Sequence, residues 1–530
     1  MHKSSHTTSR QDAPGTSLWF QATRLTILAL ATAGLTLGCR DAGAPEPFYL
    51  PTDPVLAPGG PTFEEPENVT ALPASGTQID VNWGTNTTRE TGFEIHRSIG
   101  GAPGSFSLHA TVGANVATYS DPGLTPGSVY CYQLRAVRVT NTGTTSSEFS
   151  NTACATAAPI PIVGFASVTA GGAHTCALTS AGAAFCWGRG ESGQLGVPVP
   201  PSTCMTESGL FPCSMVPVPV NGGLAFTQLA GGSSHTCALT SAGVAWCWGN
   251  NAEGQLGDNT TTNRDAPVPV ATGLTFVSID AGASHTCALE SNGTAWCWGR
   301  NNRGQLGNGG TTNSPVPVAV SGGLSFQQIT AGGFINGYTC GLTSGNAHCW
   351  GDNERGQLGI GAADLVAHSL PLAVSGGLTF TALTAGLGRH TCGLTPTGAA
   401  WCWGENTYGA LGIRGRRDSS IPAAVAGNLS FIQVVAGGFI GHTCARLGTG
   451  TAYCWGENEK GQVGDGTTTD RWTPVTVDGG LVFGSVDAGL RHSCGYANGT
   501  VYCWGANGAG QLGNNSNAQS NVPLKVFGQP

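Results

Sequence analysis

From Phe165 onward, hydrophobic and polar positions recur in one block. In its first copy Phe165, Val168 and Ala170 lead to Gly171. His174-Thr175-Cys176-Ala177-Leu178, then Cys186-Trp187-Gly188, then Gly193-Gln194-Leu195-Gly196 follow. The block occurs seven times. The first cysteine of each copy falls at 176, 237, 287, 340, 392, 444 and 494, an average of 53 residues apart. Each block holds about four short β-rich runs separated by Gly, so each predicts one four-stranded sheet. Seven such sheets closed radially leave few free strand edges. A linear β-solenoid usually repeats at about half this length or less. The predicted fold is therefore all-β, a seven-bladed propeller over 162–530.

Ala-Gly-x-x-His-Thr, Trp-Gly-x-Asn and Gly-Gln-Leu-Gly, in that order, resemble the repeat of the regulator of chromosome condensation family. The resemblance covers Phe165 to about Phe527 and is seen seven times. Departures are local. Tyr338 replaces the His of block four, Ala410 the Gln of block five and Val463 the Leu of block six. The resemblance implies a propeller. It also raises guanine-nucleotide exchange on a small GTPase, which export would argue against.

The hairpin pattern tests how the cysteines pair. The two cysteines of each block are separated by 10, 10, 10, 9, 10, 10 and 9 residues. If Cys494 faces Cys503, the two-residue turn is Asn498-Gly499. If Cys340 faces Cys349, it is Ser344-Gly345. In the five pairs spaced by ten, the third loop position should be a left-handed Gly, and Gly182, Gly243, Gly293, Gly398 and Gly450 stand there. Directly cross-strand pairs are then expected at Cys176–Cys186, Cys237–Cys247, Cys287–Cys297, Cys340–Cys349, Cys392–Cys402, Cys444–Cys454 and Cys494–Cys503. Two further pairs, Cys131–Cys154 and Cys204–Cys213, and Cys39 complete the 19 cysteines. Zinc ligation is the rival, but zinc sites favour closer Cys spacing. The six histidines of the repeat, being equivalent, predict hydrogen bonds between neighbouring sheets. The repeated Trp predicts core packing.

Ahead of the repeats, 66–157 reads as a sandwich. Val81-Asn82-Trp83 alternates as a buried strand with an inward Trp, and Gly92 to Arg97 is another. Leu124-Thr125-Pro126-Gly127-Ser128-Val129-Tyr130 resembles the tyrosine corner of fibronectin type III domains, where the Tyr hydroxyl bonds back to the chain. Cys131 and Cys154 are expected on the last two strands, around the Asn141-Thr142-Gly143 turn.

The first 38 residues read as an export signal. Lys3, Arg10 and Arg24 precede the apolar run Leu25 to Leu37, too short for an ordinary membrane span. The run ends at Gly38-Cys39, which resembles the bacterial lipobox, so Cys39 is the expected lipidation site. Thr36 stands where that motif prefers Leu. Cleavage after Ala44, discarding Cys39, is the alternative. A polar, Pro-rich tether spans 39–65. Disulfides fit an oxidising compartment, so the expected place is the bacterial cell envelope, or outside the cell if Cys39 is removed.

Composition narrows the function. The chain has a net charge of −8 and only 10% charged residues, with no Lys/Arg stripe, which argues against nucleic acid. No nucleophile elbow, metal-spaced cluster or phosphate loop is present. The expectation is a monomeric binding scaffold for an envelope or extracellular protein or glycan, membrane-attached through its lipid. No catalytic, cofactor-binding or metal-binding residue is expected, and no enzyme; a secreted enzyme or inhibitor with loop-borne residues is the alternative. Two regions are candidates for binding. Block one carries an insert, Val197 to Pro217, either a binding loop or decoration. Enlarged loops carry Phe334 and Ile335 in block four, Arg389 in block five, and Phe439 and Ile440 in block six. The phenylalanines either form an exposed patch with Arg389 or plug the central channel.

Overall fold

A computed structural model of the chain describes residues 64–157 and 164–529, apart from 76–77, 85–89, 101–105, 126–127, 199, 207–208, 334–335 and 439–440. All regular elements among them are strands. The export signal, Cys39 and the tether lie outside the described residues.

The first eight strands are β1 (Glu67–Ser75), β2 (Gln78–Gly84), β3 (Gly92–Ile99), β4 (Ser107–Gly113), β5 (Thr118–Pro122), β6 (Val129–Thr140), β7 (Gly143–Ser146) and β8 (Ala153–Thr156). They form two sheets, β1-β2-β5 and β4-β3-β6-β7, with β8 also on β6. Alternation along β2 buries Ile79, Val81 and Trp83, which share one core with Phe93, Ile95 and Leu134 of the other sheet. Tyr130 Oη accepts a hydrogen bond from the Thr125 amide at 2.9 Å, the corner its motif predicted. The Asn141-Thr142 turn joins β6 to β7, and Cys154 sits beyond it on β8, opposite Cys131. Between β7 and β8, Ser147 Oγ and Ser150 Oγ accept from the amides of Ala136 and Leu134. The side chains thereby bridge the break in the strand.

Seven sheets follow, one per block. Sheet 1 comprises Phe165–Ala170, His174–Thr179, Ala184–Arg189 and Gly209–Pro219, with Ser202–Thr206 as a fifth strand. Sheets 2 to 7 each have four antiparallel strands consecutive in the chain; sheet 7 ends with Ser520–Lys525. The turns follow the predicted chemistry. Gly182, Gly243, Gly293, Gly398 and Gly450 have φ of 76° to 87°, and Asn498 and Ser344 precede Gly499 and Gly345 with φ of 50°. The seven cysteine pairs of the blocks face each other directly, as Cys176 faces Cys186, and all nine pairs named from the sequence are joined.

Each core lies between successive sheets. Trp248 of sheet 2 packs with Cys176, Leu178 and Leu195 of sheet 1. The last such core joins Phe165 and Trp187 of sheet 1 to Val501 and Leu512 of sheet 7, so the ring closes. Among the described residues no strand is exchanged at the closure. Instead Asp487 Oδ2 accepts from the Ala170 amide at 2.9 Å, across 317 residues. The innermost strands line a central channel of about 590 Å³. Their outward amides would be unpaired edges. Side chains from the preceding sheet cap several of them: Asp280 on Ala331, Gln328 on Leu383, Thr384 on Ala436.

Candidate binding face

The repeat residues assemble a latch at every sheet boundary. His174 Nε2 lies 2.9 Å from Thr236 Oγ1 of the next sheet, and that hydroxyl donates to the Gln194 carbonyl at 3.0 Å. With its proton committed there, the hydroxyl accepts from the imidazole, which fixes the proton on Nε2. Trp248 Nε1 donates to the same carbonyl at 3.0 Å. The pattern recurs around the ring, except that Trp403 Nε1 makes no such bond, and it crosses the closure, where Thr175 meets His492 at 2.9 Å. In sheet 4, Tyr338 takes the place of His. Its hydroxyl donates to the His390 carbonyl at 2.5 Å and lies 3.2 Å from the Thr391 hydroxyl, whose proton goes to the Gln357 carbonyl. Burial pushes the six imidazoles down, to about 4 at His174 and His285 and about 3 at His235 and His492, so they are uncharged at neutral pH. These groups are scaffold.

Successive connections in an antiparallel sheet emerge on alternate sides. The loops before each His and after each Trp-Gly therefore share one face. Arg389 stands on it, 19% exposed, with Nη1 3.8 Å from Glu354. Its carbonyl accepts from the Glu405 amide. Phe334, Ile335, Phe439 and Ile440 lie outside the described residues. The structure adds a residue that the sequence reading passed over. Arg491 precedes His492 as Arg389 precedes His390, and it pairs with buried Glu457 at 3.4 Å. Burial pushes the Glu457 carboxyl up to about 7, against the lowering effect of Arg491. Asp352 is likewise raised by burial, with Arg303 at 3.6 Å opposing. The Arg-His dipeptide, present twice, was the available signal.

The insert reaches the same face. It is a hairpin, Ser202–Thr206 against Gly209–Pro219, clamped by Cys204–Cys213. Phe211 is buried and covered by the Arg189 guanidinium, 4.8 Å from the ring centroid. Across the hairpin tip, Met205 and Leu210 are 71% and 72% exposed. With Ala509 of sheet 7 the hairpin walls a cleft of about 920 Å³, lined by Arg189, Met205, Phe211, Lys460, Arg491 and Asn507. Among the described residues no group of three or more His, Cys, Asp or Glu is placed to hold a metal ion.

The profile of the RCC1-like domain matches residues 217–527, and that of the regulator of chromosome condensation (RCC1) repeat matches 165–194 and 181–239. The chain belongs to the RCC1 repeat family. It is 32% identical over 316 residues to the ultraviolet-B receptor UVR8 of Arabidopsis thaliana, covering 59% of this chain and 57% of that one. It is 29% identical over 334 residues to the human E3 ubiquitin-protein ligase HERC2, covering 62% of this chain and 6% of that one. The chain thus spans less than two thirds of these relatives. Among solved structures, Prp20p of Saccharomyces cerevisiae superposes with a TM-score of 0.56 at 23% identity, covering 68% of this chain and 87% of that one. Human WBSCR16 superposes with a TM-score of 0.55 at 17% identity, covering 76% and 98%. These likenesses show the RCC1-like propeller fold. Yeast RCC1, Prp20, has been crystallised bound to Kap60.

The relatives correct one expectation. The sequence was read as that of no enzyme, yet proteins named as E3 ubiquitin ligases, HERC2 and probable ligases HERC6 and HERC4, align with it over the repeat region. A propeller of this family occurs within enzymes, so the lack of a recognisable catalytic motif in the repeats does not exclude enzymatic activity. Fold and function separate here.

Proposed function

We propose that the protein is an exported binding scaffold that holds a partner on the face bearing Arg389 and Arg491, gripped by the insert. On this reading it is a seven-bladed propeller behind a fibronectin type III-like module at 66–157. A tether, 39–65, connects that module to a lipid on Cys39 in a bacterial envelope. The partner is an envelope or extracellular protein or glycan. Support for export comes from the apolar run ending at Gly38-Cys39 and from nine disulfides. The observation that carries the binding reading is the exposure of Met205 and Leu210 at the tip of a clamped hairpin, while the adjacent Phe211 is buried. Apolar side chains displayed on a rigid support mark interaction surfaces. Replacing 203–214 with a short Gly-Ser link tests this. The shortened chain is expected to fold and to lose the partner captured by the intact chain. Unchanged capture would remove the insert from the site. Cys39→Ser is expected to abolish fatty-acid labelling, and persistent labelling would refute the anchor.

A further inference from the structure

Sheet 5 breaks a rule that its neighbours keep. After the Gly-Gln-Leu-Gly turn, one position in each of sheets 2 to 7 takes a left-handed backbone. It is filled by Asn259 (φ 62°), Gly309 (85°), Gly361 (94°), Gly466 (78°) and Asn515 (59°), but in sheet 5 by Arg414 (64°). Asn and Gly suit this conformation and Arg does not. Folding alone therefore does not account for the arginine. The loop also reverses its charge. In sheets 2 and 6, Asp258 and Asp465 each hold an arginine of their own loop, Arg264 and Arg471. In sheet 5 the corresponding residue is Ile413, and Arg416 and Arg417 follow Arg414.

These cations are exposed. Arg416 stacks over Trp472 at 4.5 Å, and Trp472 is itself 44% exposed. Among the described residues the carboxylate paired with Arg416 is Asp470, at 3.9 Å, which already accepts from the Asn458 amide. Asp418 accepts from the Asn406 amide and lies 3.7 Å from Arg355. Among the described residues, Arg414 and Arg417 have no ion-pair partner. The loop belongs to the face described above, because its Gly415 and Arg417 carbonyls accept from Asn406, next to Glu405.

We propose that Arg414, Arg416, Arg417 and Trp472 form a second binding surface, which takes an acidic segment of a partner protein. Three guanidiniums offer forked donors that match carboxylates. Arg clusters recognise acidic motifs in this way, and an exposed Trp beside them supplies the apolar contact of an interface hot spot. The surface is separate from the insert cleft, so either can fail without the other.

The test is fluorescence anisotropy of the full chain with a labelled Glu-rich peptide containing one aromatic residue, and with the same peptide carrying Gln for Glu. Binding of the first but not the second is expected, weakening with salt. Arg414→Asn with Arg417→Gln should weaken it by about tenfold or more. Thermal unfolding of the variant checks its fold, and the midpoint should not fall, because Asn suits the left-handed position. Equal binding by the variant would overturn the proposal. So would binding of a sulfated polysaccharide in place of the acidic peptide.

Discussion

Between the sheets of the ring, six imidazoles are buried uncharged, each donating from Nε2 to a hydroxyl of the next sheet. In the module of residues 67–156 the buried polar centre is instead a carboxylate. Asp121 on β5 is 1% exposed and accepts from Arg97 on β3 at 2.9 Å and Tyr132 on β6 at 2.7 Å, with His109 Nε2 on β4 at 2.9 Å. Both devices tie one sheet to another. The ring repeats this neutral contact at six boundaries, with Tyr338 at the seventh, so its cost and benefit are spread. The module concentrates an ionic contact at one point, so that polar tie depends on a single residue, Asp121.

The two arrangements should part company in acid. The imidazoles have folded values near 3 to 4, below their ordinary 6.5. The unfolded chain therefore binds protons that the folded ring refuses. Their contribution is complete above about pH 6.5 and is lost as pH falls toward 4. Between pH 6.5 and 5 each imidazole removes about 2 kcal/mol. Asp280, raised by burial to about 6, and Glu457, raised to about 7, act in the opposite sense and offset part of this loss. The ring's urea midpoint is expected to be clearly lower at pH 5 than at pH 7. An unchanged midpoint would mean that the imidazoles are not buried neutral.

The ionic centre should be the more fragile to a single substitution. Asp121→Ala strands Arg97 and the Tyr132 hydroxyl, and removing one partner of a buried pair costs about 3–5 kcal/mol. Tryptophan fluorescence and urea titration of the full chain are expected to show an earlier transition for the module and an unmoved one for the ring. A Tyr338→Phe change removes one bond at one boundary, where its hydroxyl meets the His390 carbonyl. Its cost should be about 1–2 kcal/mol, visible as a modest shift of the ring's transition alone. Smallest of all, Met205→Ser with Leu210→Ser touches only exposed side chains and should change stability by less than about 0.5 kcal/mol.

What could be read in advance follows from the same contrast. Residues that serve through their side chains at every boundary, such as His174, Cys176 and Trp187, were legible because they recur. The turns were legible because Gly182 and Asn498-Gly499 carry the chemistry that their φ values require. The acceptor of the latch was not legible, because it is a backbone carbonyl. Ala410 stands where other blocks have Gln, yet its carbonyl still takes Thr443 and Trp455 at 2.8 Å. The side chain there was no guide. Arg97, His109 and Asp121 escaped notice because a contact made once leaves no pattern. The cleft beside the insert brings residues near 205 against residues near 509, which only ring closure could reveal.

The central claim is that partners are held on the insert-bearing face. Val482, 60% exposed beside the Gly450 turn, marks the opposite face. A photoreactive side chain placed at 205 or 210, and separately at 482, can be activated in intact cells, and the adducts compared. The account predicts a discrete cross-linked species from 205 and 210 and none from 482. Adducts from 482, with none from the insert, would contradict it.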